Sequence, residues 1–409
     1  MKEIFKQLEG MRNYIIELQT EMTALPAVSP HIEGGLGEHA KAEYLEKELK
    51  KLKADEIKHL DCPDKKAKNG FRPNIAAKFY GSDKTKTLWL LCHMDVVSPG
   101  DIKMWKTDPF KAVVKGDKIY GRGTEDNQQA IVSALMLVKV LRTRGGKPPI
   151  NLGLLFVSDE ELHSEYGLEF ICKKHKNIFN KKDFFLVQDC GDEKGAGAEI
   201  AEKNVLRLKI TTYGKECHGA MPANGNNAMR AGMWFGTLTD GELHKKFNKK
   251  DKMFVPQEST FEPTMKEANV PNINIIPGKD IFYWDCRYLP CYKYERIMDV
   301  IKACARKTEE RFKVKVDIGV IENASSVPTD RNAPVVKLFS AAVKEVGDAS
   351  VFLYGVGGST LACFLRNLGL DAVACGKNFD TLHAPNEYSS IKNTVYGAKI
   401  AAYILFNAK

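Results

Sequence analysis

Five short segments of the chain place a histidine or a carboxylate where an apolar run ends or a helix is expected to begin. They are LLCHMD with His93 and Asp95, GRGTEDN with Asp126, SDEELHS with Glu160 and Glu161, LVQDCGD with Asp189, and LHAPNE with His383. Neutral imidazole and carboxylate oxygen are ligands that a borderline ion such as zinc accepts. A glutamate beside a ligand glutamate can serve as the base in metal-assisted hydrolysis. The segments together predict a two-metal hydrolase site.

Each of these residues also has an ordinary structural explanation. A histidine that ends a strand is commonly a hydrogen-bonded structural residue, and Asp126 can cap a helix. The paired glutamates can begin a solvated helix, and Asp189 can belong to a turn. Asp95 favours the ligand interpretation of His93, because a carboxylate two residues on can accept the other ring N–H and aim the free nitrogen at a metal. Five ligand-type residues at strand ends favour the metal site over five separate explanations.

The segments come directly after apolar runs that are typical of buried strands. TLWLLCHM, INLGLLFVS and DFFLVQ lack clean alternation and are separated by helical stretches such as NQQAIVSALMLVKVLR. This is the pattern of an open α/β sheet with both faces covered. Ligands bind beyond the carboxyl ends of the strands in such sheets, so one edge of one sheet is expected to gather His93, Glu160, Glu161 and Asp189.

The texture of the chain changes near Asn204 and changes back after Glu322. An alternating run, a long helical stretch and further strands predict an inserted α+β domain over 204–324. Residues 1–203 and 325–409 are expected to form one discontinuous α/β domain with a doubly wound, mostly parallel sheet. The domain must be discontinuous because His383 has to rejoin the four earlier segments.

The net charge of +9 comes mainly from lysines scattered as KELKKLK, KNIFNKKD and KKFNKKDK. Without an aromatic-interleaved basic stripe or a zinc finger, these lysines indicate solvated faces rather than a nucleic-acid surface. A weak preference for anionic substrates stays open.

The N-terminal 30 residues have the apolar spacing of an amphipathic helix rather than a signal peptide, and no stretch approaches the ~20 apolar residues of a membrane span. The ten cysteines form no CxxC pair. Reduced thiols and a cytoplasmic location are therefore expected, with no nucleic-acid or membrane partner.

The segments HMDVV, GRGTEDN, DEE with SEYG after it, CHGAMPANGNNA and HAPNEY resemble a family of di-zinc amidohydrolases over nearly the whole chain. That family contains acetylornithine deacetylase, succinyl-diaminopimelate desuccinylase, aminoacylases and glutamate carboxypeptidases. The resemblance implies that the inserted domain is a lid, which usually carries the dimer interface, and hence that the protein is a homodimer.

The resemblance also implies a role for each candidate ligand. Asp126 is similar to the carboxylate that bridges two divalent ions, zinc or else cobalt or manganese. The other ligands of one ion are then His93 and Asp189, and those of the other ion are Glu161 and His383. Asp95 is similar to the residue that orients His93, and Glu160 to the general base that takes a proton from the metal-bridging water and passes it to the leaving amine. The resemblance further implies a cis peptide bond between Asp126 and Asn127.

Further residues resemble the substrate-binding residues of that family. His218 in CHGAMP would donate a hydrogen bond to the oxyanion of the tetrahedral intermediate, in related dimers within the partner subunit's site. Arg287 and Asn274 would hold the substrate carboxylate and polar groups. The backbone of Gly357, Gly358 and Ser359 is a plausible donor loop for the same carboxylate. The ordinary alternatives are a capped turn histidine for His218 and a surface strand arginine for Arg287.

Two departures from the family pattern concern the substrate more than the chemistry. His163 stands where many relatives have glycine, and we interpret it as a loop residue or a support for a ligand rather than a sixth ligand. GGSTLA over 357–362 replaces the usual turn of the deacetylase branch.

The expected activity is zinc-dependent hydrolysis of the amide bond of N-acyl amino acids, of the acetylornithine deacetylase or succinyl-diaminopimelate desuccinylase type. One alternative is a metallo-dipeptidase or carboxypeptidase, which differs in whether an acidic residue near the 357–362 turn reads a free amine of the substrate. Another is a catalytically silent binding protein that keeps the fold.

Overall fold

The chain divides into two compact units, and the computed structural model describes residues 1–379 and 381–408. The first unit comprises Met1–Ile200, Thr329–Tyr354 and Thr360–Lys409, and the second comprises Ala201–Pro328 and Gly355–Ser359. The predicted boundaries at 204 and 324, and the lid and dimerisation role, stay predictions.

The α-helices of the described residues are α1 (Lys2–Glu9), α2 (Arg12–Thr23), α3 (His39–Lys51), α4 (Gln129–Arg144), α5 (Leu168–Lys174), α6 (Ala228–Lys246), α7 (Tyr294–Phe312), α8 (Pro334–Gly347), α9 (Leu361–Asn367) and α10 (Ile391–Asn407). The strands are β1 (Glu56–His59), β2 (Cys62–Pro63), β3 (Phe71–Arg72), β4 (Ile75–Phe79), β5 (Asp83–His93), β6 (Val113–Lys115), β7 (Lys118–Tyr120), β8 (Ile150–Val157), β9 (Phe184–Val187), β10 (Gly197–Glu202), β11 (Asn204–Tyr213), β12 (Cys217–His218), β13 (Thr260–Lys266), β14 (Ile275–Ile276), β15 (Lys279–Tyr288), β16 (Lys315–Ala324), β17 (Phe352–Val356), β18 (Ala372–Ala374) and β19 (Tyr388–Ser390).

An eight-stranded sheet in the order β1-β4-β8-β5-β9-β18-β10-β17 organises the first unit. Its four central strands, β8, β5, β9 and β18, run parallel, whereas β1, β4 and β10 pair antiparallel with their neighbours. Every residue of β8 and β9 is buried, which explains why these runs show no alternation. The predicted α/β class with a mostly parallel central sheet is confirmed.

Helices cover both faces of this sheet. Trp89 and Leu91 of β5 pack with α5 and α9 on one face. Leu88 and Leu90 point to the opposite face, because side chains alternate along a strand, and α4 and α10 contact β5 from that side. The predicted N-terminal helix is present as two helices, α1 and α2, which are separated at Gly10 and Met11.

The parallel strands end in register at one edge of the sheet. His93, the last residue of β5, pairs with Val157, the last residue of β8. Val187, the last residue of β9, pairs with Leu91 of β5 and with Ala374, the last residue of β18. The segments after these four strands therefore leave the sheet at the same edge, as the sequence predicts.

The second unit is built on a four-stranded antiparallel sheet in the order β13-β15-β11-β16. Helices α6 and α7 pack on this sheet over a core that includes Leu208, Phe235, Trp284 and Ile301. β12 and β14 form a separate two-stranded ladder. In residues 1–379 and 381–408, no helix combines the length and apolar character needed to cross a membrane.

Candidate metal centre

Two groups of ligand-type side chains lie at the edge where the parallel strands end. Within each group, the potential ligand atoms lie within 4.8 Å of one another. The first group is His93, Asp126 and Asp189, and the second is Asp126, Glu161 and His383. These are the two groups that the resemblance implies, with Asp126 shared between them.

The two oxygens of Asp126 face different histidines. Oδ1 lies 2.9 Å from Nε2 of His93, and Oδ2 lies 3.2 Å from Nε2 of His383. Oδ1 of Asp189 is 3.3 Å from the same nitrogen of His93. The hydrogen bonds from both histidines hold the pKa of Asp126 far below its usual range against the opposing effect of burial. A carboxylate placed in this way can bridge two cations.

The second group contains an atom that points to a cation. Oε2 of Glu161 is 3.0 Å from Nε2 of His383, whereas the buried Oε1 has no hydrogen-bond partner among the described residues. A buried acceptor without a donor is costly, and a cation held by these oxygen and nitrogen ligands removes that cost. Burial, together with the charge of Asp126, raises the pKa of Glu161 to about 7. The residues present therefore fit a divalent ion.

Asp95 connects His93 to the segment that carries the paired glutamates. Its carboxylate accepts hydrogen bonds from the backbone N–H of Glu160 at 3.2 Å and of Glu161 at 3.0 Å. Nδ1 of His93 lies 3.1 Å from the backbone oxygen of Asp95 and 3.5 Å from Oδ1. Asp95 can thus hold Nε2 of His93 toward the ligand group, as predicted, and it also fixes the position of the glutamates.

Glu160 lies beside the ligand groups without being a member of either. Burial, together with the negative charge of Asp189, raises the pKa of Glu160 well above its usual range. A carboxyl whose pKa is raised toward neutrality is suited to accept and return a proton near pH 7. His163, three residues on, is exposed and belongs to neither group, which agrees with its interpretation as a loop residue.

Two residues that the sequence analysis did not single out hold the Asp126 turn against the His383 loop. The buried carboxylate of Glu387 accepts hydrogen bonds from the backbone N–H of Gly123 at 2.9 Å and of Asp126 at 3.1 Å. Arg122 donates to Glu387 at 2.6 Å and to the backbone oxygen of His383 at 3.2 Å. Both residues lie within the GRGTEDN and HAPNEY motifs, which is the signal that pointed to them.

The peptide bond between Asp126 and Asn127 is cis, as the resemblance implies. The Asn127 side chain donates to Oδ1 of Asp189 at 2.8 Å and to the backbone oxygen of Gln188 at 3.0 Å. The turn after β7 therefore supplies one ligand, Asp126, and orients a second, Asp189.

In the second unit, His218 and Asn274 lie next to each other. His218 in β12 pairs with Ile275 in β14, and the backbone N–H of Gly219 donates to the oxygen of Asn274 at 2.7 Å. His218 is exposed, and its Nδ1 accepts a hydrogen bond from the backbone N–H of Ala220 at 3.1 Å. The neutral ring then carries its proton on Nε2, which is free to act as a donor.

Arg287 and the 357–359 turn also lie together in the second unit. Arg287 donates to the backbone oxygen of Gly357 at 2.9 Å, and its Nε and Nη2 bind the two oxygens of Asp285 at 2.6 and 3.0 Å. Oγ of Ser359 lies 3.5 Å from Oε2 of Glu202. The predicted substrate-binding arginine is therefore already paired with a carboxylate, and the turn has an acidic neighbour.

Comparisons with known proteins agree with this chemistry. The sequence profile of Peptidase family M20/M25/M40 matches residues 89–407. An uncharacterized metallohydrolase of Methanocaldococcus jannaschii is 37% identical over 407 residues, which cover 95% of this chain and 98% of that protein. A succinyl-diaminopimelate desuccinylase of Sulfurovum sp. is 26% identical over 302 residues, or 73% of this chain and 78% of that protein.

A solved structure shares the fold. The M20 family metallo-carboxypeptidase Sso-CP2 of Sulfolobus solfataricus superimposes with a TM-score of 0.76 at 21% identity, covering 96% of this chain and 99% of that chain. The family resemblance predicted from the motifs is confirmed.

Proposed function

The chain belongs to Peptidase family M20/M25/M40 and is a metal-dependent hydrolase, and we propose that it hydrolyses the amide bond of N-acyl amino acids. The proposed type is that of acetylornithine deacetylase or succinyl-diaminopimelate desuccinylase. The observation that carries the proposal is the pair of ligand groups joined by Asp126, with Glu160 beside them. The similarity to the desuccinylase of Sulfurovum sp. supports the substrate class.

The proposed cofactor is a pair of divalent ions, zinc first, with cobalt or manganese as alternatives. His93 and Asp189 would hold one ion, Glu161 and His383 the other, and Asp126 both. When bound, the ions supply Lewis-acid polarisation of the scissile carbonyl and lower the pKa of water.

In the proposed mechanism, Glu160 accepts a proton from the attacking water and delivers it to the leaving nitrogen. Asp95 supports this step by fixing the backbone of Glu160 and Glu161 and the ring of His93. His218 donates through Nε2 to the oxyanion, because its Nδ1 is occupied by the N–H of Ala220.

A specific observation favours the alternative of a dipeptidase or carboxypeptidase. The acidic residue expected near the 357–362 turn in that case is Glu202, which lies 3.5 Å from the Ser359 hydroxyl. A carboxylate at this turn suits a substrate with a free amine, whereas an N-acyl substrate has none to offer. In both cases Arg287 and the backbone of Gly357 and Gly358 would receive the substrate carboxylate.

We also propose a homodimer formed through the second unit. β13 pairs only with β15 in the order of its sheet and so leaves an edge free. Beside this edge lies a groove of about 600 Å³, whose lining includes the exposed side chains of Met233 and Met265. An unpaired strand edge next to exposed methionines favours pairing with a second copy. A cytoplasmic location is proposed from the ten cysteines, which are all free.

A substrate panel tests the activity. N-acetyl and N-succinyl amino acids are assayed against dipeptides, each with zinc, cobalt and manganese. Turnover of the acylated substrates alone supports the deacylase. Turnover of dipeptides that requires their free amine, and is lost in Glu202→Gln, supports the alternative. A protein that binds metal yet turns over neither class contradicts both.

A further inference from the structure

The loop that carries His383 is attached to the turn that carries Asp126 by the carboxylate of Glu125. Oε1 of Glu125 accepts a hydrogen bond from the backbone N–H of Phe379 at 2.6 Å. Oε2 accepts from the backbone N–H of Thr381 at 3.1 Å and from its hydroxyl at 2.6 Å. Glu125 is buried and lies next to Asp126 in the chain, so it binds the loop just before His383.

The attachment is reciprocal. Glu387, on the far side of His383, sends its carboxylate back to the turn, where it accepts from the N–H of Glu125 at 2.9 Å and of Asp126 at 3.1 Å. Each segment thus contributes a carboxylate that is satisfied by backbone N–H groups of the other. Because carboxylates accept hydrogen bonds strongly and in several directions, such a pair fixes two loops relative to each other.

The backbone at His383 needs this support. Its φ of 62° lies in the left-handed region, which residues other than glycine adopt uncommonly and keep only when their surroundings hold them. After His383, the side chain of Asn386 anchors the loop to Met104 and Lys106. Before His383, Glu125 supplies an anchor through Phe379 and Thr381.

The Thr381 hydroxyl has a defined direction. Its oxygen receives the backbone N–H of Tyr388 at 3.2 Å, and the 2.6 Å contact with Glu125 is shorter than its 3.3 Å contact with the Tyr388 oxygen. The hydroxyl proton therefore goes to Glu125. A glutamine at this position would turn an N–H₂ group toward a donor, so an acceptor-only side chain is what this pocket of donors requires.

We propose that Glu125 is a positioning residue that sets the affinity of the Asp126–Glu161–His383 group for its ion by holding His383 against Asp126. The proposal rests on the proposed two-ion function. The other group depends less on Glu125, because His93 ends β5 and Asp189 lies two residues after β9.

The test is metal binding by Glu125→Gln, measured by competition with a chromogenic chelator and by metal content after dialysis. Loss of an outer partner of a ligand typically weakens metal affinity ~10–100-fold, and we expect this for one of two zinc ions, with the other unchanged. The matched control is Asp183→Asn. Asp183 also accepts three N–H groups, from Thr87, Trp89 and Asn180, but these lie near the opposite end of β5 from His93.

A second pair of variants keeps the test decisive if Glu125→Gln does not fold. Thr381→Val removes only the hydroxyl donor, and Thr381→Ser restores it. We expect weaker binding of one ion in the valine variant and near wild-type binding in the serine variant. Asp183→Asn should lower the melting temperature of the metal-free protein while leaving both affinities unchanged.

The outcomes separate this role from the two-ion proposal. A wild-type protein that binds a single ion overturns the two-ion site and this role with it. Two ions in the wild type, with unchanged affinities in both Glu125→Gln and Thr381→Val, overturn the role of Glu125 alone. The role is also overturned if Asp183→Asn loses one ion as Glu125→Gln does, since general destabilisation would then explain both.

Discussion

Replacing Glu160 and Glu161 by glutamine, one at a time, should have two different effects although the residues are adjacent. Glu161 faces His383 through Oε2 at 3.0 Å, and its Oε1 is buried without a hydrogen-bond donor among the described residues. Glu160 belongs to neither ligand group. Glu160→Gln should therefore keep both ions and lose turnover, whereas Glu161→Gln should lose one ion.

The size of each effect can be derived from these positions. A general base contributes typically ~10²–10⁴-fold to the rate, so kcat of Glu160→Gln should fall by that factor, which corresponds to ~3–5 kcal/mol in the barrier. KM should change little, because Glu160 acts on the transferred proton. Glu161→Gln replaces a charged ligand, so the affinity for one ion should fall by more than the ~10–100-fold that loss of an outer partner costs.

The pH profile gives the same assignment a second test. Burial and the charge of Asp189 raise the pKa of Glu160, so protonation removes the base at a higher pH than for an ordinary glutamate. We expect kcat/KM to fall as the pH decreases through this pKa, and the residual activity of Glu160→Gln to lack that acidic limb.

The assay is metal content by mass spectrometry after dialysis, together with steady-state kinetics at saturating zinc. A double variant serves as the baseline for contaminating activity. The assignment is refuted if metal content falls in Glu160→Gln and stays intact in Glu161→Gln, because the roles of base and ligand would then be exchanged.

Further predictions concern the bridge, protons and the dimer. Asp126→Ala should lose activity and bind fewer than two ions, since two close cations would lack a shared anion; full activity with two ions would contradict the bridge. Hydrogen bonds to Asp126 and Glu161 raise the pKa of His383 to about 10, so metal binding at neutral pH should release a proton and weaken as the pH falls, which calorimetry in buffers of different ionisation enthalpy can detect. His218→Ala should lower turnover ~100-fold or more with metal content unchanged. Mixed with Glu160→Ala chains it should regain activity if sites are shared, and absence of activity despite subunit exchange would place His218 in its own chain's site.

Much of the metal centre could be predicted because strand ends determine it. The apolar runs before His93 and Asp189 are buried on both faces and therefore parallel, and parallel strands bring the residues at their carboxyl ends to one edge. Residue type then suffices, because histidine and carboxylates gathered at one edge have few explanations other than a cation.

The residues that hold the ligands in place could not be predicted in the same way. Glu125 and Glu387 act on backbone N–H groups more than 250 residues away, and backbone groups leave no trace in the sequence. A glutamate next to a ligand is equally compatible with a solvated turn. Only the folded loops show that its partners are Phe379 and Thr381.

Arg287 shows how a correct residue type can leave its role open. Asp285 and Arg287 lie two residues apart on β15 and so share one face of the sheet, where the carboxylate takes two guanidinium donors. Arg207, the cross-strand partner of Asp285, also binds it at 3.2 Å and reaches Glu322 at 2.7 Å. Two arginines and two carboxylates leave this cluster without net charge. A substrate carboxylate therefore meets no excess positive charge here, so its recognition has to depend on displacing Asp285 or on the backbone donors beside Gly357.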